Sequence, residues 1–161
     1  MTLIDTTGGP LANPWQYPGQ ESELTQSSHS IVRLAQWETY RQQFGSPASG
    51  VWIAGEQDPA DFVSLLDEAK VIVVEFPKSR DGRGFTLARV LRSRCSYKGD
   101  VRAAGPLLPD QFSMLIQCGF SSLLAPSTVP LVRWRDAAAA IALARNKPRT
   151  LLDRLSHSRQ A

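Results

Sequence analysis

The sequence predicts an α/β fold: a four-stranded, mainly parallel sheet with alternating helices. Three observations carry this. Four apolar, strand-like runs alternate with segments of helical periodicity. The links between them are short, as right-handed crossovers allow. The run Val71-Ile72-Val73-Val74 is apolar on both faces until Glu75, as a central strand of a parallel sheet is. Two closures fit four such units: an open three-layer sandwich, or half of a (β/α)8 barrel whose open edge is covered or completed by a partner.

Residues 1–30 hold Pro10, Pro14, Pro18 and the pair Gly8-Gly9, and read as an irregular N-terminal arm that Trp15 and Tyr17 anchor. Ser30 is placed to cap a helix over residues 31–43, with Leu34, Trp37 and Tyr40 at helical spacing. Gly45, Pro47 and Gly50 end it. Residues 51–54 form a short strand closed by Gly55. Asp58-Pro59, a capping residue followed by proline at the first helical position, opens a helix whose apolar stripe is Phe62, Leu65, Leu66 and Ala69. Strand 71–76 follows. A third helix over residues 84–94 buries Leu87, Ala88, Leu91 and Cys95, exposes Arg89 and Arg92, and is stopped near Gly99. Then come a strand over 100–104, a helix capped by Asp110 and stopped by Gly119, a strand over 120–124 and an alanine-rich helix over 132–144. Residues 31–146 thus make one α/β domain. Residues 147–161 are a C-terminal tail, with Leu151, Leu152 and Leu155 as a short amphipathic segment.

The 161 residues, 42% hydrophobic and 20% charged, have the composition of one soluble domain with a real core. No apolar run approaches the roughly 20 residues that span a bilayer, and the N-terminus lacks the regions of a secretory signal. No membrane association is expected. Two scattered cysteines, Cys95 and Cys118, make no disulfide framework, so a cytoplasmic location is expected. The net charge of +3 hides an asymmetry: residues 78–102 carry eight Lys/Arg against Asp81 and Asp100, residues 133–161 seven against Asp136 and Asp153, and the remainder is −8. A concentrated positive stretch suggests a small anionic ligand or an acidic partner surface. Nucleic acid is not an expected partner, because no reading motif is present and the acidic remainder opposes it.

The loop Lys78-Ser79-Arg80-Asp81-Gly82-Arg83-Gly84 joins a buried strand to a helix start. Glycine lets backbone approach an anion, free N–H groups of a helix start point at it, and Lys78, Arg80 and Arg83 add charge. The competing reading is that Gly82 and Gly84 only make the turn, with Asp81 as the cap. The P-loop and dinucleotide fingerprints are absent. Glu75, at the carboxyl end of the central strand, is the expected perturbed carboxylate and a possible acid/base, or else an ion-pair partner of Arg102 on the next strand. Arg102 and Gln111 are expected at the same end of the sheet as further ligand residues, and Asp110 as an N-cap. No Cys-x-x-Cys occurs and His29 and His157 lie in the flanks, so no metal site and no Ser-His-Asp catalysis are expected.

These residues carry a resemblance. Phe76-Pro77-Lys78, Asp81 to Phe85, Ala88-Arg89, Leu91-Arg92, Tyr97 with Gly99, Arg102-Ala103 with Gly105, and Asp110-Gln111 together resemble the core of the DUF934 family of bacterial proteins. That family is often described as a probable oxidoreductase involved in sulfite reduction, and its genes commonly neighbour a sulfite or nitrite reductase gene. Pro106, Pro109, Gln117 and Ser121 depart from its pattern. The resemblance implies a role in sulfur assimilation: an accessory protein of assimilatory sulfite reduction that binds a sulfite or nitrite reductase, or a small anion, through the basic loop. The alternative is an oxidoreductase-type enzyme using a phosphate-bearing cofactor or substrate. No cofactor is identified by the sequence. Finally, exposed sheet edges, together with apolar residues in the arm and tail, predict a homodimer in which at least one of the two packs across the subunit boundary.

Overall fold

The computed structural model describes residues 1–19 and 24–146. Six short strands, β1 (Thr2–Ile4), β2 (Ile31–Arg33), β3 (Gly50–Ala54), β4 (Val71–Glu75), β5 (Asp100–Ala104) and β6 (Ser122–Ala125), form one sheet in the order β1-β6-β5-β4-β3-β2. The helices are α1 (Trp37–Phe44), α2 (Arg83–Ser93), α3 (Phe112–Cys118) and α4 (Leu131–Asn146). The α/β class holds, but the sheet has six strands rather than four. β2 to β6 are parallel and in sequential order, while β1 joins β6 antiparallel with Leu3 opposite Leu124.

The two added strands come from the start of the chain. Residues 31–33 were expected in a helix and are β2 instead; a 3₁₀ turn, Leu34–Gln36, then leads into α1. Ile31 and Val32 are β-branched and bury on opposite faces of the sheet, which a strand allows and one helical face does not. Ser30 caps no helix: its carbonyl accepts from Gly50 N at 3.1 Å and its hydroxyl donates to Thr25 O at 2.8 Å. The helix expected from Asp58 is also absent. Asp58 does accept from Ala60 N at 2.9 Å, but the chain makes two 3₁₀ turns, Pro59–Asp61 and Val63–Leu65, broken at Phe62 with φ −137°. The apolar stripe is buried all the same, since Phe62, Leu65, Leu66 and Ala69 all enter the core.

A sequential parallel order puts the crossovers on one side. Ile72 and Val74 of β4 face a large core built with Trp37 and Tyr40 of α1, Leu87 and Leu91 of α2, Phe112 of α3 and Trp134 of α4. The opposite face carries no described helix. There Leu3, Ile31, Val71, Val73, Ala104 and Leu124 are covered by Trp15 and Tyr17 of the arm and by Trp52. The described helices thus occupy one face, not the two that an open three-layer sandwich requires. The arm also blunts both sheet edges: Leu11 N donates to Leu3 O at 2.8 Å beside β1, and Ile31 N to Gln16 O at 2.9 Å beside β2. So the described arm folds back on its own sheet. The expected tail segment, residues 150–155, lies outside the described residues. No described helix is long and apolar enough to cross a membrane.

Candidate functional site

β4 delivers Glu75 to its carboxyl end on the helix-free face, and the 78–84 loop carries the chain from there to α2. The side chains of Lys78 and Arg80 are exposed and make no ion pair or hydrogen bond among the described residues, although the Lys78 carbonyl accepts from Asp81 N at 3.0 Å and its charge adds to the field that lowers the Asp81 carboxyl. Arg83 is engaged. Its Nε and Nη2 donate to Asp81 at 3.0 and 2.6 Å, its backbone N donates to Asp81 Oδ1 at 3.1 Å, and Glu56 lies 3.7 Å away. These hydrogen bonds, the side-chain pair first, hold the Asp81 carboxyl down at about 2. Asp81 thus braces the first turn of α2 and cancels Arg83 locally.

The two glycines of the loop differ. A Cβ on Gly84 would stand 2.6 Å from Phe76 Cζ, so the helix start rests on that ring and only glycine fits. A Cβ on Gly82 would meet nothing within 4 Å. Gly82, the N-cap of α2 with φ −82°, is therefore demanded neither by packing nor by its backbone angle. The sequence expectation that both glycines serve either turn or ligand splits: Gly84 belongs to the fold, and Gly82 leaves open space over the helix start.

Gln111 holds the loop rather than a ligand. Its Nε2 donates to Ser79 O and its Oε1 accepts from Leu108 N at 3.0 Å. The amide is spent at both ends, tying the loop to the entrance of α3. Asp110 is exposed inside the 3₁₀ turn Pro109–Gln111 and is not the N-cap: Leu108 holds that place for the turn and Gln111 for α3, and no Asp110 side-chain hydrogen bond to a helix-start N–H is made among the described residues.

Glu75 and Arg102 do not pair. In register Glu75 lies opposite Ala104, whereas Arg102 lies opposite Val73, two residues back along the strand, a separation of ~7 Å. Glu75 Oε2 instead accepts from Trp52 Nε1 at 2.6 Å and lies 3.7 Å from Arg33 Nη1. Its side chain remains 38% exposed. Trp52 lies opposite Val73 and Arg33 opposite Trp52, so both share the helix-free face with Glu75. Arg33 escaped sequence reasoning because its strand read as helix; Trp52 shows only as an aromatic alternating with Val51 and Ile53.

Arg102 is 3% exposed and fully occupied. Nε donates to Ser122 Oγ at 3.0 Å, Nη2 to Asp100 Oδ2 at 2.6 Å and Nη1 to Tyr17 OH. Its guanidinium also lies over the Trp15 and Tyr17 rings, at 5.5 and 5.9 Å. Burial pushes the Tyr17 phenol up, against the opposing pull of Arg102. Arg102 is therefore a fastening of the arm to the sheet, not a ligand residue beside Arg80. Arg92 of α2 is similar: it donates to the carbonyls of Gly119, Tyr97 and Gly99 at 2.9, 2.8 and 2.8 Å. Of the predicted anion-binding residues, then, the structure leaves Lys78, Arg80 and Gly82 open, with Arg83, Asp81, Gly84 and Gln111 shaping the loop around them.

Residues 50–145, more than half of the chain, match the family described as "Bacterial protein of unknown function (DUF934)". The match runs from β3 into α4 and takes in the whole 78–84 loop, while the arm and β2 lie outside it. No curated protein matches the chain. The chain belongs to the DUF934 family.

Proposed function

We propose that the protein is an accessory factor of assimilatory sulfite reduction. Its 78–84 loop receives a small anion or an acidic surface of a sulfite or nitrite reductase. One observation carries the choice of site. The side chains of Lys78 and Arg80, unlike those of Arg83, Arg92 and Arg102, are exposed and make no hydrogen bond or ion pair among the described residues, and they come just before the open helix start at Gly82 in the chain. Positive charge and steric access coincide there, beside the amides of Gly82 and Gly84, while the Asp81 carboxylate already holds Arg83 N. The sulfite context rests on the family resemblance alone. In a bacterial host, loss of the gene should slow growth on sulfate but not on cysteine. The intact gene should restore growth, and a Lys78→Ala/Arg80→Ala version should not. Equal growth of the deletion strain on both sulfur sources overturns the sulfite role.

A second reading, an oxidoreductase-type enzyme with a phosphate-bearing cofactor or substrate, draws on Glu75, a half-exposed carboxylate held by Trp52 and Arg33 at the carboxyl end of β4. In that reading Glu75 is the acid/base. Flavins and nucleotides at 100-fold excess over their dissociation constant would then stabilise the fold by about 2.7 kcal/mol, and a flat thermal-shift screen removes it. A homodimer also remains within the proposal. Val132 and Leu143 of α4 are exposed and apolar, and a monomer in light scattering at micromolar concentration excludes it.

A further inference from the structure

A cleft of about 560 Å³ lies between the second half of α4, the end of α3 and the turn over residues 5–9; Thr6, Thr7, Ile116, Arg135, Ala138 and Ala142 contribute to its walls. Its shape is built in. The Asp5 carboxylate accepts from Thr7 N at 2.8 Å and from Gly9 N at 2.9 Å, which fixes the turn. Gly8, at φ +74°, rests so closely on α4 that a Cβ there would stand 2.8 Å from Trp134 O. The turn is thereby pressed onto the helix beside Arg135, where it walls the groove.

The sequence of α4 asks for a cover on this side. Residues 137–144 carry no polar side chain. A helix that is apolar all round is normally buried all round. Here Trp134, Ala137, Ala138 and Ile141 pack on the core. Ala139 and Ala142 are exposed, and Leu143 is 69% exposed. The groove is therefore an apolar wall that nothing among the described residues covers.

The chain itself supplies a segment of fitting chemistry. α4 ends at Asn146, and residues 147–161 follow it in the sequence. Pro148 cannot continue an α-helix and sets the residue before it extended, so the chain must leave the helix axis there. Beyond it Leu151, Leu152 and Leu155 have the spacing of one apolar helical face, with Thr150 placed as its N-cap. The reach is sufficient. Residues 147–150 span up to about 13 Å when extended, and Ala138 stands about 12 Å back from Asn146 along α4. A short connection of this kind is what joins antiparallel helix pairs. The charges match as well: Asp153 is the single acid among residues 147–161, and the Arg135 side chain in the groove wall has no carboxylate partner among the described residues. A segment tethered this closely meets the groove at an effective concentration of about millimolar, above that of a second copy at micromolar protein. We propose that residues 150–155 fold back on their own domain and fill this groove, with Leu151, Leu152 and Leu155 against Ala138, Ala142 and Ile116. The segment expected to pack across a subunit boundary thus serves its own α4. The groove is separate from the 78–84 loop, so the two proposals stand or fall independently.

The test uses the full chain with ¹³C-labelled Ala, Ile and Leu methyl groups. NOEs are read in the labelled protein and, by isotope filtering, across chains in an equimolar mixture of labelled and unlabelled protein. The expected result is NOEs from the Leu151, Leu152 and Leu155 methyls to Ala138, Ala142 and Ile116 in the first sample, and none between chains in the second. In Leu152→Asp/Leu155→Asp these NOEs should vanish and the Ala138 and Ala142 signals should shift, while Ile72 and Leu91, both 0% exposed in the core, stay in place and report a folded chain. Leucine methyls with no NOE to the groove overturn the proposal. So do NOEs found only between chains, which would make a second copy the occupant, and groove signals that the double substitution leaves unmoved. Should Ile72 and Leu91 move as well, the NOEs of the natural chain decide alone.

Discussion

Arg80 and Arg102 come from the same basic stretch of sequence, yet the fold uses them oppositely. Arg102 is 3% exposed, hydrogen-bonded to Ser122, Asp100 and Tyr17, and sandwiched by the arm's aromatic rings. Arg80 stands in solvent with no partner among the described residues. A cation in sequence says nothing about whether its charge is available. What decides is the set of oxygens within reach, and for Arg102 one of them comes from Tyr17, 85 positions away. The basic stretch over residues 78–102 therefore divides into cations that hold the fold together and cations that face outward.

Replacing a fastening should cost far more than replacing an outward charge. The largest effect is expected for Arg102→Met, which takes away the cation paired with Asp100, leaving that carboxylate to the Ser121 and Ser122 hydroxyls, and removes the arm's anchor. Breaking one side of a fully buried pair costs about 3–5 kcal/mol, and with Asp100 a quarter exposed and still hydrogen-bonded a loss of about 2–3 kcal/mol is expected, readable as a lower midpoint in urea unfolding. A loss no greater than that of an exposed arginine would erase the distinction. Next come the two glycines. Gly84→Ala drives a methyl into the Phe76 ring and should destabilise by about 1–3 kcal/mol. Gly82→Ala should stay within about 0.5 kcal/mol, as surface changes do. Equal costs at the two positions would mean that Gly82 too serves packing. Tyr17→Phe keeps the ring over Arg102 and removes only the hydroxyl, so a loss of about 1 kcal/mol is expected.

The smallest effect concerns pH. The Asp81 carboxyl is held down at about 2 by Arg83. A carboxylate with a depressed pKa stabilises the fold above its ordinary pKa near 4, and that contribution fades as pH falls from about 4 toward 2. Carbon-detected NMR titration of Asp81 should therefore find its midpoint near the lower value, and Arg83→Ala should return it toward 4. A midpoint near 4 in the natural chain would dissolve the clamp that separates Arg83 from Lys78 and Arg80.

Much of the fold was legible where apolar runs are long and bounded. Val71–Glu75 and Asp100–Ala104 fall within a residue of expectation, because β-branched or apolar runs there end in Phe76-Pro77 and Gly105. β1 and β2 are three residues each, too short for a period of two to declare itself, and β2 was masked by the helical spacing of Leu34, Trp37 and Tyr40 just after it. In the site, the 78–84 loop was legible as glycine and charge at a strand-to-helix junction. The position of Arg102 was not, although Asp100 and Arg102, two apart on one strand, must share a face and so foreshadow their pair. The Glu75–Trp52 bond was hidden because it depends on the register of two strands 23 residues apart in sequence.

The central claim, that the open charges of the 78–84 loop and not the buried ones receive an anion, is tested most directly by following backbone amides while titrating the full chain with sulfite and then with inorganic phosphate. The account predicts saturable shifts at Gly82, Arg83 and Gly84 that vanish in Lys78→Ala/Arg80→Ala, a variant that should fold with a stability within about 0.5 kcal/mol of the natural chain. Still amides at the loop, or shifts centred on Tyr17 and Arg102 instead, would contradict it.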